Sequence, residues 1–195
     1  IVISKSLFLA GDEMDRAIMH YIRLRHGLLL GERTAEELKI KIGSAYETKV
    51  KSQKSKVKSE ENEPTHNTEP ITHSQSDRVA IVRGRDIEKG LPKSLRITEV
   101  EVRAALAPVL SKIIEGISEV LEEAPPELTS DILEHGILLT GGGSLLPGID
   151  KVIVERTHIS VIRSEDPLTS VVRGSGKVLE DTALLERVKV IGGLK

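Results

Sequence analysis

The sequence has no cysteine and very few aromatic residues, and each shortage removes a class of function. Aromatic residues make up 2% of the 195 residues, and Trp is absent. Without thiols the chain forms no disulfide, thiolate nucleophile or thiolate zinc site, which is typical of a cytosolic protein. Because single-stranded nucleic acid is bound largely by stacking on aromatic rings, the composition also disfavours that partner.

Long apolar runs and an excess of one charge are missing as well. No apolar run approaches the roughly 20 residues of a membrane-spanning helix, and the first residues do not resemble a signal peptide. Lys and Arg total 28 against 30 Asp and Glu, a net charge of −2, so no basic field attracts nucleic acid. The sequence begins with Ile1 rather than Met, from which we expect a fragment or a processed product.

The residues that are present predict regular elements before residue 98. Alternating apolar residues predict a strand over 1–10, and apolar residues at helical spacing predict a helix from Asp12 to Gly27. A second helix is expected from about Thr34, where the sequence has the form of a capping box. Strands over 79–82 and 94–97 are expected to pair.

Residues 47–77 differ from the rest of the chain in composition. They contain five lysines and then several glutamates, but only three aliphatic residues, too few to offset the entropy of ordering. We therefore expect a disordered loop there. Its nearly balanced charge favours a solvated insertion over a partner-binding arm.

The second half predicts a layered α/β sheet. A long helix is expected from Thr98 to Ala124, opened by a capping box with Glu101 and kinked or interrupted at Pro108. A strand over 137–140 precedes a glycine turn. A helix over 149–154, a strand over 159–162 and a helix over 167–179 follow.

The glycine turn is the best candidate for a binding site. Gly141, Gly142 and Gly143 follow a strand, and a backbone without Cβ atoms can approach a phosphate or a planar base. The turn does not match the dinucleotide fingerprint or the phosphate-binding P-loop. From the residues alone, a tight turn without a ligand is an equal alternative.

Other reactive residues carry no comparable pattern. The six histidines lack the paired spacing of metal ligands, so no metal site is predicted. Asp12, Glu13 and Asp15 form an acidic cluster, which favours helix-dipole complementation over chemistry. Ser144 lacks the turn motif of a nucleophilic serine, and no catalytic residue is predicted.

Short motifs spread along the chain resemble the bacterial actin homologues of the rod shape-determining MreB family. They lie at residues 11–15, 31–36, 43–46, 83–86, 125–128, 139–143 and 165–169. The resemblance implies the C-terminal half of such a protein, the second of two lobes that close over ATP. Its fold would be actin-like α/β, of the ribonuclease H-like and Hsp70-type ATPase class.

The resemblance also implies a division of the chain and a set of nucleotide contacts. Residues 1–33 and 98–195 would form the inner subdomain, and residues 34–97 a small α+β outer subdomain. The glycines at 141–143 match the adenosine motif, whereas Glu36 and Lys39 match positions that reach the base and ribose. Gly11 would lie near the same cleft. For Glu36 and Lys39, a solvent-facing ion pair stays an open alternative.

The function implied by the resemblance is that of a filament. Such proteins form homo-oligomers that maintain rod shape by organising cell-wall synthesis, together with wall-synthesis and membrane-anchoring proteins at the inner face of the cell membrane. The phosphate loops, and most of the groups that hold Mg²⁺, belong to the first lobe. We therefore expect no ATP hydrolysis by this chain alone, and only peripheral membrane association, mainly through the other half.

Three alternatives stay open from the sequence. One is an actin-like filament that positions organelles of the magnetosome type or plasmids. Another is a stand-alone interaction module that binds partners through the lysine-rich residues 49–58. The third is a sugar or acetate kinase of the same superfamily, although such enzymes need a substrate-binding aspartate in the first lobe.

Overall fold

The computed structural model describes residues 2–47 and 78–188, so nearly all of the predicted loop at 47–77 lies outside the described residues. The helices are α1 (Gly11–His26), α2 (Glu32–Ile42), α3 (Glu99–Glu123), α4 (Pro126–His135), α5 (Ile149–Thr157), α6 (Ser170–Glu180) and α7 (Thr182–Val188). The strands are β1 (Leu28–Leu29), β2 (Val79–Asp86), β3 (Pro92–Thr98), β4 (Ile137–Leu139) and β5 (Val161–Arg163).

The strands form two sheets of different kind. Strands β1, β2 and β3 are antiparallel neighbours in that order, with Val79 opposite Thr98 and Arg85 opposite Pro92. Strands β4 and β5 are parallel, with Ile137 opposite Val161, and α5 connects them. A parallel pair joined through a helix is the unit of a layered α/β fold.

Helices α1, α2 and α3 share an aliphatic core with β2 and β3. On α1, Met14, Ile18 and Ile22 are buried at the spacing of one helix face. Helix α3 contributes Leu106, whose side chain is fully buried, and β3 contributes Ile97. Aliphatic residues therefore supply the core that the low aromatic content requires.

Helix α3 begins and continues in a way that its sequence largely predicts. The Thr98 hydroxyl accepts a hydrogen bond from the Glu101 amide, and the Glu101 carboxylate accepts one from the Thr98 amide, which completes the predicted capping box. Of the kink or interruption predicted at Pro108, the interruption does not occur, because α3 continues through this residue, and the kink stays a prediction. Buried residues on both sides, Leu106 and Val109 among them, hold the helix against the core.

Two predictions about element boundaries are wrong. Residues 2–10 form no strand, because no described strand lies beside them to complete a ladder. Leu7 packs instead against Gly116 of α3, where an added Cβ would lie 2.4 Å from the leucine Cδ1. Helix α2 begins at Glu32 after an extended Gly31, so Thr34 lies within the first turn rather than at the cap.

The structure also contains elements that the sequence did not predict, namely β1, α4 and α7. Among residues 2–47 and 78–188, no helix combines the length and apolar character needed to cross a bilayer.

Candidate functional site

The glycine turn after β4 has a conformation that requires glycine at its first position. Gly141 has φ 81° and ψ 166°, a region that residues with a Cβ avoid. Its amide donates to the Pro167 carbonyl at 2.9 Å. Its carbonyl accepts from the Ser144 amide at 3.1 Å and from the Ser144 hydroxyl at 2.7 Å. These bonds hold the turn between β4 and the segment before α6.

The outer side of this turn faces open space. Among described atoms, a Cβ added to Gly141 or Gly143 would meet none within 4 Å, and one added to Gly142 would meet only Leu168, at an ordinary contact distance of 3.5 Å. Described protein atoms therefore do not explain why position 143 has no side chain. The open backbone leaves room for a ligand, and the contact of these glycines with a nucleotide stays a prediction.

Lys39 and Gly11, two of the residues predicted to line the cleft, contact each other. The Lys39 ammonium donates to the Gly11 carbonyl at 3.1 Å and to Asp15 Oδ2 at 2.9 Å. The side chains of Lys39 and Asp15 are only 15% and 11% exposed. A Cβ on Gly11 would lie 3.3 Å from the Lys39 ammonium, so the small residue makes room for this contact.

Sequence reasoning assigned Asp15 to the helix dipole and missed its part in this contact. The carboxylate pairs with Lys39 from another helix, and its second oxygen, Oδ1, is buried without a hydrogen-bond partner among the described residues. The acidic cluster at the start of α1 was the only signal in the sequence. The partner could not be read from it, because Lys39 lies 24 residues away.

Glu36 lies one turn before Lys39 on α2 but does not pair with it. The Glu36 carboxylate is exposed, and no described residue forms an ion pair or hydrogen bond with it. The ion pair on this exposed surface joins Arg33 and Glu37 instead, at 3.2 Å. Glu36 is therefore free to contact a ligand, although its role in binding stays a prediction.

The segment after α2 packs against the segment that follows the glycine turn. The Ala45 amide donates to the Pro147 carbonyl at 2.8 Å. A Cβ on Gly43 would lie 3.3 Å from Leu146, and one on Gly148 would lie 2.6 Å from the Cβ of Tyr46. These close contacts join the helix that holds Lys39 to the region of the glycine turn.

Two glutamates at the start of α3 have lowered pKa values for structural reasons. Burial, the largest single effect, raises the pKa of Glu99. Hydrogen bonds from Arg78 and Arg103 lower this pKa by more in total, so the net shift is downward. Burial, the largest single effect, also raises the pKa of Glu101, and hydrogen bonds with Thr98 and His26 together outweigh it, so this pKa is lowered as well. Both carboxylates thus join α3 to neighbouring elements as stable anions.

Two further features of the described residues bear on the site. No group of three or more His, Cys, Asp or Glu in this part of the chain could hold a metal ion. A cavity of about 900 Å³ lies between α1 and α3, and none of the predicted nucleotide contacts lines it.

The sequence is similar to a known protein family and to named proteins. The family model described as MreB/Mbl protein matches residues 1–65 and 67–187. The chain is 39% identical to the cell shape-determining protein MreB of Escherichia coli K12, over 92% of this chain and 44% of that protein. It is 34% identical to the cell shape-determining protein Mbl of Bacillus subtilis 168, over 97% of this chain and 49% of the relative.

Structural comparisons agree. MreB5 of Spiroplasma citri, solved with AMPPNP and with ADP, matches with TM-scores of 0.76 and 0.77 and identities of 31% and 32%. These matches cover 96% and 97% of this chain but only 48% and 50% of MreB5.

The chain thus spans about half the length of the relatives it matches, as the motifs indicated. The predicted actin-like α/β fold is confirmed by the MreB5 structures. The family model covers nearly the whole chain, and the identities to MreB and Mbl extend over most of it. The chain belongs to the MreB/Mbl family.

Proposed function

We propose that this chain is the ATP-binding second lobe of a bacterial actin-like filament protein that maintains rod shape by organising cell-wall synthesis. The observation that carries the proposal is the glycine turn, whose backbone faces open space at Gly141 and Gly143. Relatives named as cell shape-determining proteins, and a structural neighbour solved with AMPPNP and ADP, support it.

In this proposal the glycines at 141–143 pack their backbone against the adenosine, Glu36 and Lys39 reach the base and ribose, and Gly11 lies close to the same cleft. The residues fit such a group, because the turn is open and the Glu36 carboxylate is unpaired among described residues. ATP supplies the bond whose hydrolysis accompanies assembly in the family. Because we assign the phosphate- and Mg²⁺-binding groups to the first lobe, this chain binds and orients the nucleoside only.

The proposal extends to assembly and location. The protein forms homo-oligomeric filaments, works with wall-synthesis and membrane-anchoring proteins, and lies at the inner face of the cell membrane. Residues 1–33 and 98–195 form the inner subdomain, and residues 34–97 the outer one. Strands β2 and β3 pair next to α2, which is compatible with a small α+β outer unit, and β1 of the inner range extends the same sheet.

The test is nucleotide binding by the native full-length protein with Gly143→Val. The branched side chain would enter the open space beside the turn, and we expect ATP affinity, measured by calorimetry, to fall at least about tenfold, or about 1.4 kcal/mol. The melting temperature should stay close to that of the wild type, because no described atom lies within 4 Å of the added Cβ.

Gly174→Val is the matched control. It adds the same side chain to α6 at another glycine with open space around it, and ATP affinity should not change. Equal ATP affinity for wild type and Gly143→Val, or no binding by the wild type, would remove the basis of the proposal.

A further inference from the structure

The cavity between α1 and α3 is a groove with a basic side. Exposed Arg16, His20 and Arg23 lie along α1 at positions i, i+4 and i+7, so they form one row on the helix surface. We call these three residues the basic row. Small and aliphatic residues of both helices complete the lining, among them Ala17, Ala104, Ala105, Pro108 and Val109.

The charge of the groove is largely unpaired. Arg23, His20 and the neighbouring Lys112 have no ion-pair or hydrogen-bond partner among the described residues. Arg16 pairs with Glu13 at 3.2 Å, but the two side chains are 65% and 40% exposed, and such surface pairs contribute little. An occupant of the groove should therefore carry negative charge along one side and an apolar side chain for the lining.

Helix α4 has these properties. Glu127, Asp131 and Glu134 occupy positions i, i+4 and i+7, which is the same spacing as the basic row. All three are exposed, and their carboxylates have no cationic partner among the described residues. We call them the acidic row. Leu133 is 62% exposed, and α4 buries none of its residues.

Within one chain, α4 lies outside the groove, because none of its residues lines it. The groove reaches Lys112 on α3, and α3 continues to Glu123 before α4 begins. At about 1.5 Å per residue, these last turns of α3 separate the groove from α4 by roughly 16 Å. The two complementary surfaces thus lie at different places along α3, which leaves α4 of one copy available to the groove of another.

We propose that α4 of one copy docks in the groove of a second copy, with the acidic row along the basic row and Leu133 against the apolar lining. Because two different surfaces of the same molecule meet, the contact is head-to-tail and can repeat from copy to copy. This inference rests on the proposed filament function and names one contact within it.

The test is self-association of the native full-length protein, followed by sedimentation velocity over a concentration series. Arg16→Glu with Arg23→Glu gives the groove an acidic row, and Glu127→Lys with Glu134→Lys gives α4 a basic one. Each double variant alone should weaken self-association at least about tenfold, because like charges then face each other. Arg156→Glu on α5, an exposed arginine without an ion-pair partner among described residues, should leave it unchanged.

Charge exchange makes the test specific. Mixing the two double variants in equal amounts, or combining all four substitutions in one chain, pairs opposite charges again and should restore association. Circular dichroism and ATP calorimetry on each variant show that the fold and the nucleotide site are intact. Restored association together with retained ATP binding is the expected result.

The contrary outcomes separate this inference from the proposed function. If the wild type binds ATP but the charge reversals do not change self-association, α4 does not dock in the groove. The same conclusion follows if mixing the two double variants does not restore association. A wild type that never self-associates overturns the docking of α4 as well. A wild type that does not bind ATP overturns the proposed function instead.

Discussion

The region built from α1, α2, α3, β2 and β3 has a dense core. A second region, built from β4, β5, α4 and α6, is thinner, because α4 and α6 bury no residue. In the first region, Ile18, Ile97 and Leu106 are each fully buried. In the second, β4 and β5 are only three residues long. Because buried apolar area is the main source of stability, we infer that the first region holds the chain together. The glycine turn and the exposed α4 both belong to the thinner region.

The largest expected effect is a core truncation that weakens the dense region. Leu106→Ala removes a fully buried side chain from α3, and the free energy of unfolding should fall by about 2–5 kcal/mol in urea titrations. Leu179→Ala is the matched change in the thinner region, where the leucine is 76% exposed. This substitution should lower the free energy of unfolding by less than about 0.5 kcal/mol. Similar losses at the two positions would contradict the comparison.

A smaller effect is expected from the ion pair that joins α1 to α2. Asp15→Ala leaves the Lys39 ammonium largely buried without its counter-charge, so stability should fall by about 2 kcal/mol in thermal and urea unfolding. Glu37→Ala breaks the ion pair with Arg33, in which the Glu37 side chain is 67% and the Arg33 side chain 91% exposed. This substitution should lower the free energy of unfolding by less than about 0.5 kcal/mol. A loss for Asp15→Ala no larger than this would show that the pair contributes little.

The smallest expected effect is the pH dependence from the two glutamates at the start of α3. Their pKa values are lowered by folding from an ordinary value of 4.5, so their contribution to stability is full above pH 4.5. It is lost as the pH falls through the lowered pKa of the folded state. Glu99→Gln with Glu101→Gln should therefore lose less stability than wild type between pH 7 and acid pH, measured by urea unfolding. An unchanged pH dependence would contradict this assignment.

Elements whose signals are local were predicted well. Helix α1 ends at Gly27, which has the left-handed φ of 61°, and its buried residues recur at the helical spacing seen in the sequence. The capping box at Thr98 also involves only residues three apart. Such signals lie within a few residues of the element that they define, so no knowledge of the remaining chain is needed.

Elements that need a distant partner were predicted less well. Residues 2–10 alternate like a strand, but a strand forms only where another strand lies beside it. Conversely, β1 is two residues long, too short to show alternation, and exists because Leu28 and Leu29 pair with Asp86 and Arg85. Helix α4 begins at Pro126, just after the predicted end of the long helix at Ala124, because proline is suited to the first turn of a new helix.

For the candidate site, the sequence by itself determined the glycine turn and the motifs of the family. Only the tertiary structure decided that Lys39 pairs with Asp15 rather than with Glu36, its neighbour on the same helix. It also decided that the surroundings of Gly143 are open. The physical reason is distance along the chain: turn conformation and helix caps depend on adjacent residues, whereas ion pairs and open surfaces depend on how separate elements pack.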